Sequence, residues 1–436
     1  MKPVEIIMVC TSDIAGQVRG KGFPASEIER RREVGVGWTP TNIMIGNRGV
    51  IGPTPWGAFG DLFLRPDWST RVRLDYEDGG AIESFVLADV MELDRTPWAC
   101  CPRDFLKRGL AALEEAGFRL RAAFEHEFTY QGVEEHPNSA YGLEAFRRQG
   151  TFAGTVASAL HEAGITVETF MPEFGPQQYE LAVAHRPALR AADEAIILRQ
   201  LVRGTAERLG GSASFTPLLR PDAVGNGLHI HFSLTDLDDQ PANHDPDRPH
   251  GIAARAGAFV EGIRRRMPAL CALSAAGTVS YLRLVPHRWS AAYNNLGIQD
   301  REAGIRLCPV FGQGDKARAR ELHFEYRAAD AVASPYLLLG GLVWAGLAGL
   351  RDELEPAEPT TVDPTTLSDE ELARHDAKPL PNKLTLALDA LEADPVLTEA
   401  LGPTLTKAYL DHKRFEADKL QTQGAEAQCR QYREVY

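Results

Sequence analysis

The stretch Leu120-Arg121-Ala122-Ala123-Phe124-Glu125-His126-Glu127-Phe128-Thr129-Tyr130 is rich in apolar and aromatic residues and contains no glycine or proline, which predicts an extended strand. Side chains alternate along a strand, so Glu125 and Glu127 share one face. Two carboxylates side by side repel unless water or a cation screens them. A solvated surface strand accounts for the pair as well as a divalent-metal site does, and the segments downstream bear on the choice.

Pro172-Glu173-Phe174-Gly175-Pro176-Gln177-Gln178-Tyr179-Glu180 sets two acids on either side of a Gly-Pro turn, which folds them towards each other. Gly225-Asn226-Gly227-Leu228-His229-Ile230-His231 follows, a glycine loop leading into two histidines at i, i+2 on one strand face. That spacing suits metal or phosphate contact; a buried, hydrogen-bonded imidazole is the plainer alternative for either ring. Arg283, Arg288, Arg301, Arg306, Arg318, Arg320 and Arg327 then interleave with apolar residues. They are either solvated surface arginines or guanidinium groups that converge to grip carboxylate and phosphate oxygens. Glu325, two residues before Arg327 in a strand-like run, is a further candidate metal ligand.

The 436 residues exceed one average domain, and 44% hydrophobic with 25% charged residues is the balance of a folded globular protein. A formal net charge of -13 disfavours nucleic acid as a partner, because a phosphate backbone needs a Lys/Arg surface. Six cysteines without a CxxC pair imply neither a disulfide framework nor a zinc site, and a reducing cytoplasm is expected. Met1 to Cys10 predicts a first strand rather than a signal peptide. Leu337 to Leu350 is too short to span a bilayer and predicts a buried core helix, so no membrane is expected as a partner.

Along the chain, Ile6 to Val9, Asn42 to Ile45, Leu62 to Leu64 and Ser84 to Val90 are short apolar runs between Gly, Pro and Asp, which predicts strands and loops up to about Asp94. Helices are predicted over Arg103 to Gly117, Thr151 to Ala163, Ala188 to Leu209 and Ala253 to Ala275. Strand-like runs cover Leu120 to Tyr130, Thr166 to Ala184, Val224 to Leu234 and Arg320 to Ala328. Asp352 to Pro381 predicts an exposed, irregular connection.

In order and spacing, Glu125-His126-Glu127, the Glu173 to Glu180 block, Gly225 to His229, Arg283-Leu284-Val285-Pro286, Arg301 to Arg306 and Glu325-Tyr326-Arg327 through Leu337 resemble the glutamine synthetase family. The resemblance includes Asp13 to Pro24 and Gly60 to Asp67 and covers nearly the whole chain. It implies an α+β fold, with an N-terminal β-grasp-like domain over residues 1–100 and a catalytic domain over 101–436 built on a curved antiparallel sheet flanked by helices. It further implies stacked hexameric rings, a dodecamer, with active sites between neighbouring subunits.

By the same resemblance the activity is ATP-dependent ligation of the glutamate γ-carboxylate to a nitrogen nucleophile through a γ-glutamyl phosphate. At least two Mg2+ or Mn2+ ions are implied, one on Glu127, Glu173 and Glu180 and one on Glu125, His229 and Glu325. Arg283 would grip the α-carboxylate of glutamate, with Gly225 and Arg327 lining the same substrate. Arg301 and Arg306 would contact the phosphates and nucleotide, and His231 and Ser233 would lie on the nucleotide side. His323 stands where an arginine is common.

Two departures concern the nitrogen substrate. Residues 34–60 contain no Asp or Glu, although ammonia-using members bind ammonium with acids there. The flap glutamate expected six residues beyond Arg283 is Trp289. With the rest of the site retained, the acceptor is expected to be an organic amine, a monoamine before a diamine, against an aromatic wall of Trp289 joined by Trp38 or Trp56 of a neighbouring subunit. An ordinary glutamine synthetase with Glu302 or Asp300 standing in for the missing acid is the alternative; a non-catalytic relative is the third reading.

Overall fold

A computed structural model describes residues 4–132, 139–420 and 422–436. Met1 to Pro3 of the expected first strand lie outside the described residues. Strands β1 (Ile6–Ser12), β2 (Val18–Pro24), β3 (Val36–Trp38), β4 (Leu62–Pro66), β5 (Val72–Leu74) and β6 (Glu83–Met91) form one sheet in the order β2-β1-β6-β4-β3, with β5 also on β6. β1 and β6 pair in parallel at its centre, and both are almost wholly buried towards their middles. The apolar run Asn42 to Ile45 is not a strand. Pro40 opens a short 3-10 helix, Pro40–Met44, whose ring fixes the first turn and whose Ile43 and Met44 are buried.

The second sheet holds β7 (Arg119–Gln131), β8 (Val167–Pro172), β9 (Gln178–Val183), β10 (Arg186–Pro187), β11 (Ser212–Ser214), β12 (Leu228–Thr235), β13 (Leu296–Ile298), β14 (Ile305–Leu307) and β15 (Phe324–Tyr326). Its order is β13-β14-β15-β12-β7-β9-β8, with β10 and β11 also on β7. Every pair is antiparallel except β13 with β14. The buried face of β7 (Leu120, Ala122, Phe124, Phe128) joins the continuous hydrophobic core that helix Ala188–Arg208 also enters. Helices Pro102–Glu115, Gly150–Glu162 and Ala254–Ser274 stand where apolar periodicity predicts them. Pro335–Arg351 is a helix buried nearly all round, the environment its unbroken apolar composition requires. None of the described helices is long and apolar enough to cross a membrane.

Arg320 belongs to a short helix, Asp315–Glu321, and not to the strand that follows. The Asp352 to Pro381 connection is less irregular than its composition suggests. It contains helix Asp369–Arg374, started by a Ser368/Glu371 capping box, and its buried Thr360 donates its backbone N–H to Leu296.

One buried ion cluster ties the two sheets together. Arg103, 1% exposed, donates to Asp67 and Asp89 of the first sheet's segments and twice to Asp193 on helix Ala188–Arg208, at 2.7 to 3.0 Å. Lys107 and Arg65 complete Asp89, and Tyr336 donates to Asp193. All six cysteines are buried free thiols.

Candidate active site

Strand register alone assembles most of the site. Across β7 and β9, Glu127 lies opposite Glu180; across β7 and β12, Glu125 lies opposite His229; His231 lies opposite Glu325 on β15, which in turn lies opposite Arg306 on β14. Because side chains alternate along each strand, these residues and Arg327 all project from one face of the sheet. His229 Nδ1 sits 3.6 Å from Glu125, 3.6 Å from Glu325 and 3.9 Å from Glu127. Glu173, just past β8, accepts from Tyr141 and from the backbone N–H of Phe174.

The glycine loop before β12 is held from both sides. Glu127 accepts from Gly227 N at 2.7 Å, and Gln178 donates to Gly225 O at 2.8 Å and to Asn226 Oδ1 at 2.9 Å. A Cβ on Gly225 would meet Arg283 Cγ at 2.5 Å and Cδ at 2.7 Å, so only glycine leaves room for that side chain. Arg283 is 3% exposed and donates to Ala329 O at 2.6 Å, yet its Nε has no partner among the described residues. A buried guanidinium that borders a cavity is suited to an anionic ligand.

Glu125, Glu127, Glu173, Glu180, Gly225, His229, Arg283, Trp289, Arg301 and Arg327 line that cavity of about 540 Å³. Tyr141, Phe174, Gln178 and Asp222 line it too. Trp289 is 62% and Phe174 64% exposed, so two large apolar rings stand open to whatever enters. His287 and Trp289 have left-handed backbones, φ 62° and 53°. Glu302 holds both, accepting from His287 N at 2.9 Å and Trp289 N at 2.8 Å. Asp300 accepts from Glu302 N, and neither acid is part of the cavity lining. Arg301 lies over the Trp289 ring. Arg288 donates to Pro221 O, tying the flap to the loop that carries Asp222. Trp38 is buried in its own domain's core and cannot serve a neighbour's pocket, while half-buried Trp56 packs on Trp98 with ring centres 5.3 Å apart.

His231, Ser233, Arg306 and Glu325 lie outside the cavity lining. Glu325 accepts from Arg306 at 3.0 Å and from Arg327. Burial opposes its charge, but Arg327 and the nearby histidines outweigh that and hold it down to about 2. His231 Nε2 faces Glu125 at 3.0 Å, and Nδ1 faces His323 at 3.1 Å. Ser233, one step further on the same face of β12, lies opposite Arg121. Asp222, Tyr141 and Gln178 escaped the sequence reading: the first two sit in loops without a motif, and Gln178 looked like turn filler.

Residues 1–98 match the glutamine synthetase N-terminal domain, and residues 99–432 match the glutamine synthetase catalytic domain. The chain belongs to the glutamine synthetase family. Among its relatives, a γ-glutamylpolyamine synthetase of Streptomyces coelicolor is 31% identical, with 99% of this chain and 93% of that protein aligned. A crystal structure described as a novel glutamine synthase homolog superposes with a TM-score of 0.92 at 35% identity, covering 100% of this chain and 99% of that one. The ADP complex of GmaS gives a TM-score of 0.83 at 25% identity, covering 98% and 96%.

Glutamine synthetase family enzymes use ATP and divalent metals, and the donor set here fits such ions. It is carboxylate oxygen with one imidazole nitrogen, which suits magnesium or manganese. Burial raises Glu180, and the charges of Glu125 and Glu127 raise it further; burial and Glu127 raise Glu173 likewise. Carboxylates crowded in this way gain most from a cation among them.

A pH signature follows. Groups whose folded-state pKa lies above the unfolded value of 4.5 contribute stability that is lost as pH rises through the folded value. The metal-free protein should therefore lose stability as Glu173 and Glu180 ionise, while the same ionisation frees ligands for Mg2+. The rise in melting temperature on adding Mg2+ should grow from mildly acidic to mildly alkaline buffer. Thermal melts with and without Mg2+ across pH check this, and a constant increment would remove these two acids from the metal set.

Proposed function

We propose that this glutamine synthetase family member is an ATP-dependent ligase that joins the γ-carboxylate of glutamate to an organic amine. The observation that carries the reading is the pair of exposed rings on one cavity, Trp289 from the flap and Phe174 from the turn between β8 and β9, beside the acids and arginines that line the same space. The S. coelicolor relative, named for a γ-glutamylpolyamine product, supports it.

In this reading Arg283 binds the α-carboxylate of glutamate, and Gly225 and Arg327 line the same substrate. Glu127, Glu173 and Glu180 hold one divalent ion, and Glu125, His229 and Glu325 hold a second. When bound, the ions neutralise charge on the glutamate side chain and the ATP phosphates. Arg301 and Arg306 steady the phosphates, with His231 and Ser233 on the nucleotide side. A γ-carboxylate oxygen attacks the terminal phosphorus in line and ADP leaves. The amine nitrogen then attacks the acyl carbon, phosphate departs, and the nitrogen gives up a proton.

Asp222, an exposed carboxylate of the cavity lining with Arg220 Nε 3.4 Å from its Oδ1, is in this reading the group that attracts the incoming ammonium or takes that proton. It also supplies the acid that residues 34–60 lack, so a diamine or polyamine fits as well as a monoamine. Asp222→Asn should lower kcat/KM for the amine while leaving the KM for glutamate within about threefold, since a mouth charge acts on the acceptor alone. Equal loss for both substrates would place Asp222 in the structure rather than at the acceptor.

The deciding experiment is phosphate release with ATP, Mg2+ and glutamate over ammonia, methylamine, longer alkylamines, ethanolamine, putrescine, spermidine and aniline, with mass spectrometry of the products. A γ-glutamyl amide formed faster from an organic amine than from ammonia establishes the reading; glutamine as the best product overturns it. Trp289→Glu should then shift the ratio of kcat/KM for ammonia over the preferred amine upwards by about 10- to 100-fold, the scale at which pocket contacts discriminate. An unchanged ratio would remove Trp289 from acceptor choice.

The assembly and location belong to the same proposal: stacked hexameric rings in the cytoplasm. Exposed Val50, Ile51 and Phe59, on the segment between β3 and β4, support a subunit contact there.

A further inference from the structure

Next to the oxygen-rich site lies a cluster of different chemistry. Cys308 follows β14, His323 precedes β15 and His231 sits on β12, so three neighbouring strands present one side chain each to a common point. Cys308 N donates to His323 O, which fixes the two strand ends to each other. His231 Nδ1, His323 Nε2 and Cys308 Sγ all lie within 4.8 Å of one another.

The outward nitrogens determine what the inward ones are. His323 Nδ1 lies 2.6 Å from the carbonyl of Glu321, which only accepts, so Nδ1 carries the proton and Nε2 presents its lone pair. His231 Nε2 lies 3.0 Å from Glu125, whose carboxylate accepts as well, so Nε2 carries a proton and Nδ1 is turned towards His323. The two inward nitrogens stand 3.1 Å apart, with Cys308 Sγ 3.9 Å from His231 Nδ1 and 3.8 Å from Glu325 Oε2. Such a contact needs a cation at its centre, either a proton or a metal.

The spacing suits a metal. Zinc bonds of about 2.05 Å to nitrogen and about 2.3 Å to sulfur, at tetrahedral angles, put two nitrogens about 3.3 Å apart and nitrogen and sulfur about 3.6 Å apart. The two distances from His231 Nδ1, 3.1 Å to His323 Nε2 and 3.9 Å to Cys308 Sγ, differ from these by a few tenths of an ångström. The partners on the far nitrogens, a carboxylate and a backbone carbonyl, are those that ligating histidines use to fix their tautomers. A thiolate with two imidazoles selects a borderline-soft ion over magnesium or calcium.

We propose that His231, Cys308 and His323 bind one transition-metal ion of the zinc class, separate from the carboxylate-held ions. Three protein ligands leave a fourth position for water or a substrate oxygen. Binding releases the thiol proton and the proton shared by the rings. Glu125 then joins the two centres through one oxygen, Oε2, which lies 3.0 Å from His231 Nε2 and 3.6 Å from His229 Nδ1.

The test is Co2+ titration of the chelator-treated full-length protein in a large excess of Mg2+, read by absorbance. One Co2+ per chain is expected, with a near-ultraviolet sulfur-to-cobalt band and visible bands of a four-coordinate ion, both removed by equimolar Zn2+. Cys308→Ser should lose the near-ultraviolet band and His323→Gln the visible pattern, each with far-ultraviolet circular dichroism matching wild type. If one variant does not fold, the other decides. Absence of the sulfur band in wild type, its survival in Cys308→Ser, or its loss to Mg2+ overturns the proposal.

Discussion

Arg283→Ala should lower kcat/KM for glutamate by about two to four powers of ten, the cost of truncating one partner of a buried, charge-assisted contact. The side chain is buried, anchored at one end by Ala329 O and bounded along its stem by Gly225. The charge thus points one way, into the cavity. Asp330 lies 4.0 Å away, too far for a direct hydrogen bond and close enough to keep the guanidinium from being wholly uncompensated before substrate arrives. Most of the loss should appear in KM for glutamate if Arg283 binds the carboxylate equally before and during reaction, and in kcat as well if it also positions the acyl carbon. Steady-state kinetics with glutamate varied separates these. A variant with wild-type kcat/KM would remove Arg283 from the donor site.

The second large effect is on folding. Arg103→Ala should destabilise the protein by about 3–5 kcal/mol, because it strands Asp67, Asp89 and Asp193 around an empty space. Burial alone would disfavour the Arg103 charge, but its hydrogen bonds to Asp193 and the charges of Asp193 and Asp89 raise its pKa above the ordinary value. Lys107 and Arg65 still reach Asp89, whereas Asp193 keeps only the Tyr336 hydroxyl. Urea melts followed in parallel by fluorescence and circular dichroism would show the loss. Replacing Arg103 and Asp193 together, by Met and Leu, should recover part of it, since removing a buried pair costs less than breaking one. No change in the midpoint for Arg103→Ala would show that the cluster contributes nothing to holding the two sheets together.

What the sequence disclosed depended on whether the signal was local. Period-two alternation is written into residues 120–130, and Glu125 and Glu127 indeed share a face. Long apolar periods gave the helices because burial of one stripe leaves its mark residue by residue. Asn42 to Ile45 misled because its apolar residues pack from a 3-10 turn, and a short run carries no period to tell the two apart. The resemblance pointed to Arg283 and the acids, and the structure brings all of them except Glu325 to the lining of one cavity. It pointed to His323 as well, but it could not supply Asp222 or Cys308 as neighbours of that site. Each stands at a loop or strand end, and only the pairing of β12, β15 and β14 and the Arg288 contact with Pro221 bring them into place. Trp38 shows the converse: an aromatic residue in a suggestive segment was already committed to its own core.

The flap is secured through its main chain, with Glu302 gripping the N–H groups of residues 287 and 289. Its conformation is therefore held from the backbone as well as by the ring at 289. On the proposed role of Trp289, substitutions there would alter the taste of the enzyme for nitrogen nucleophiles in single steps, without touching the acids beneath it. Such a separation of scaffold from selectivity gives a lineage a short mutational path between ammonia and larger amines.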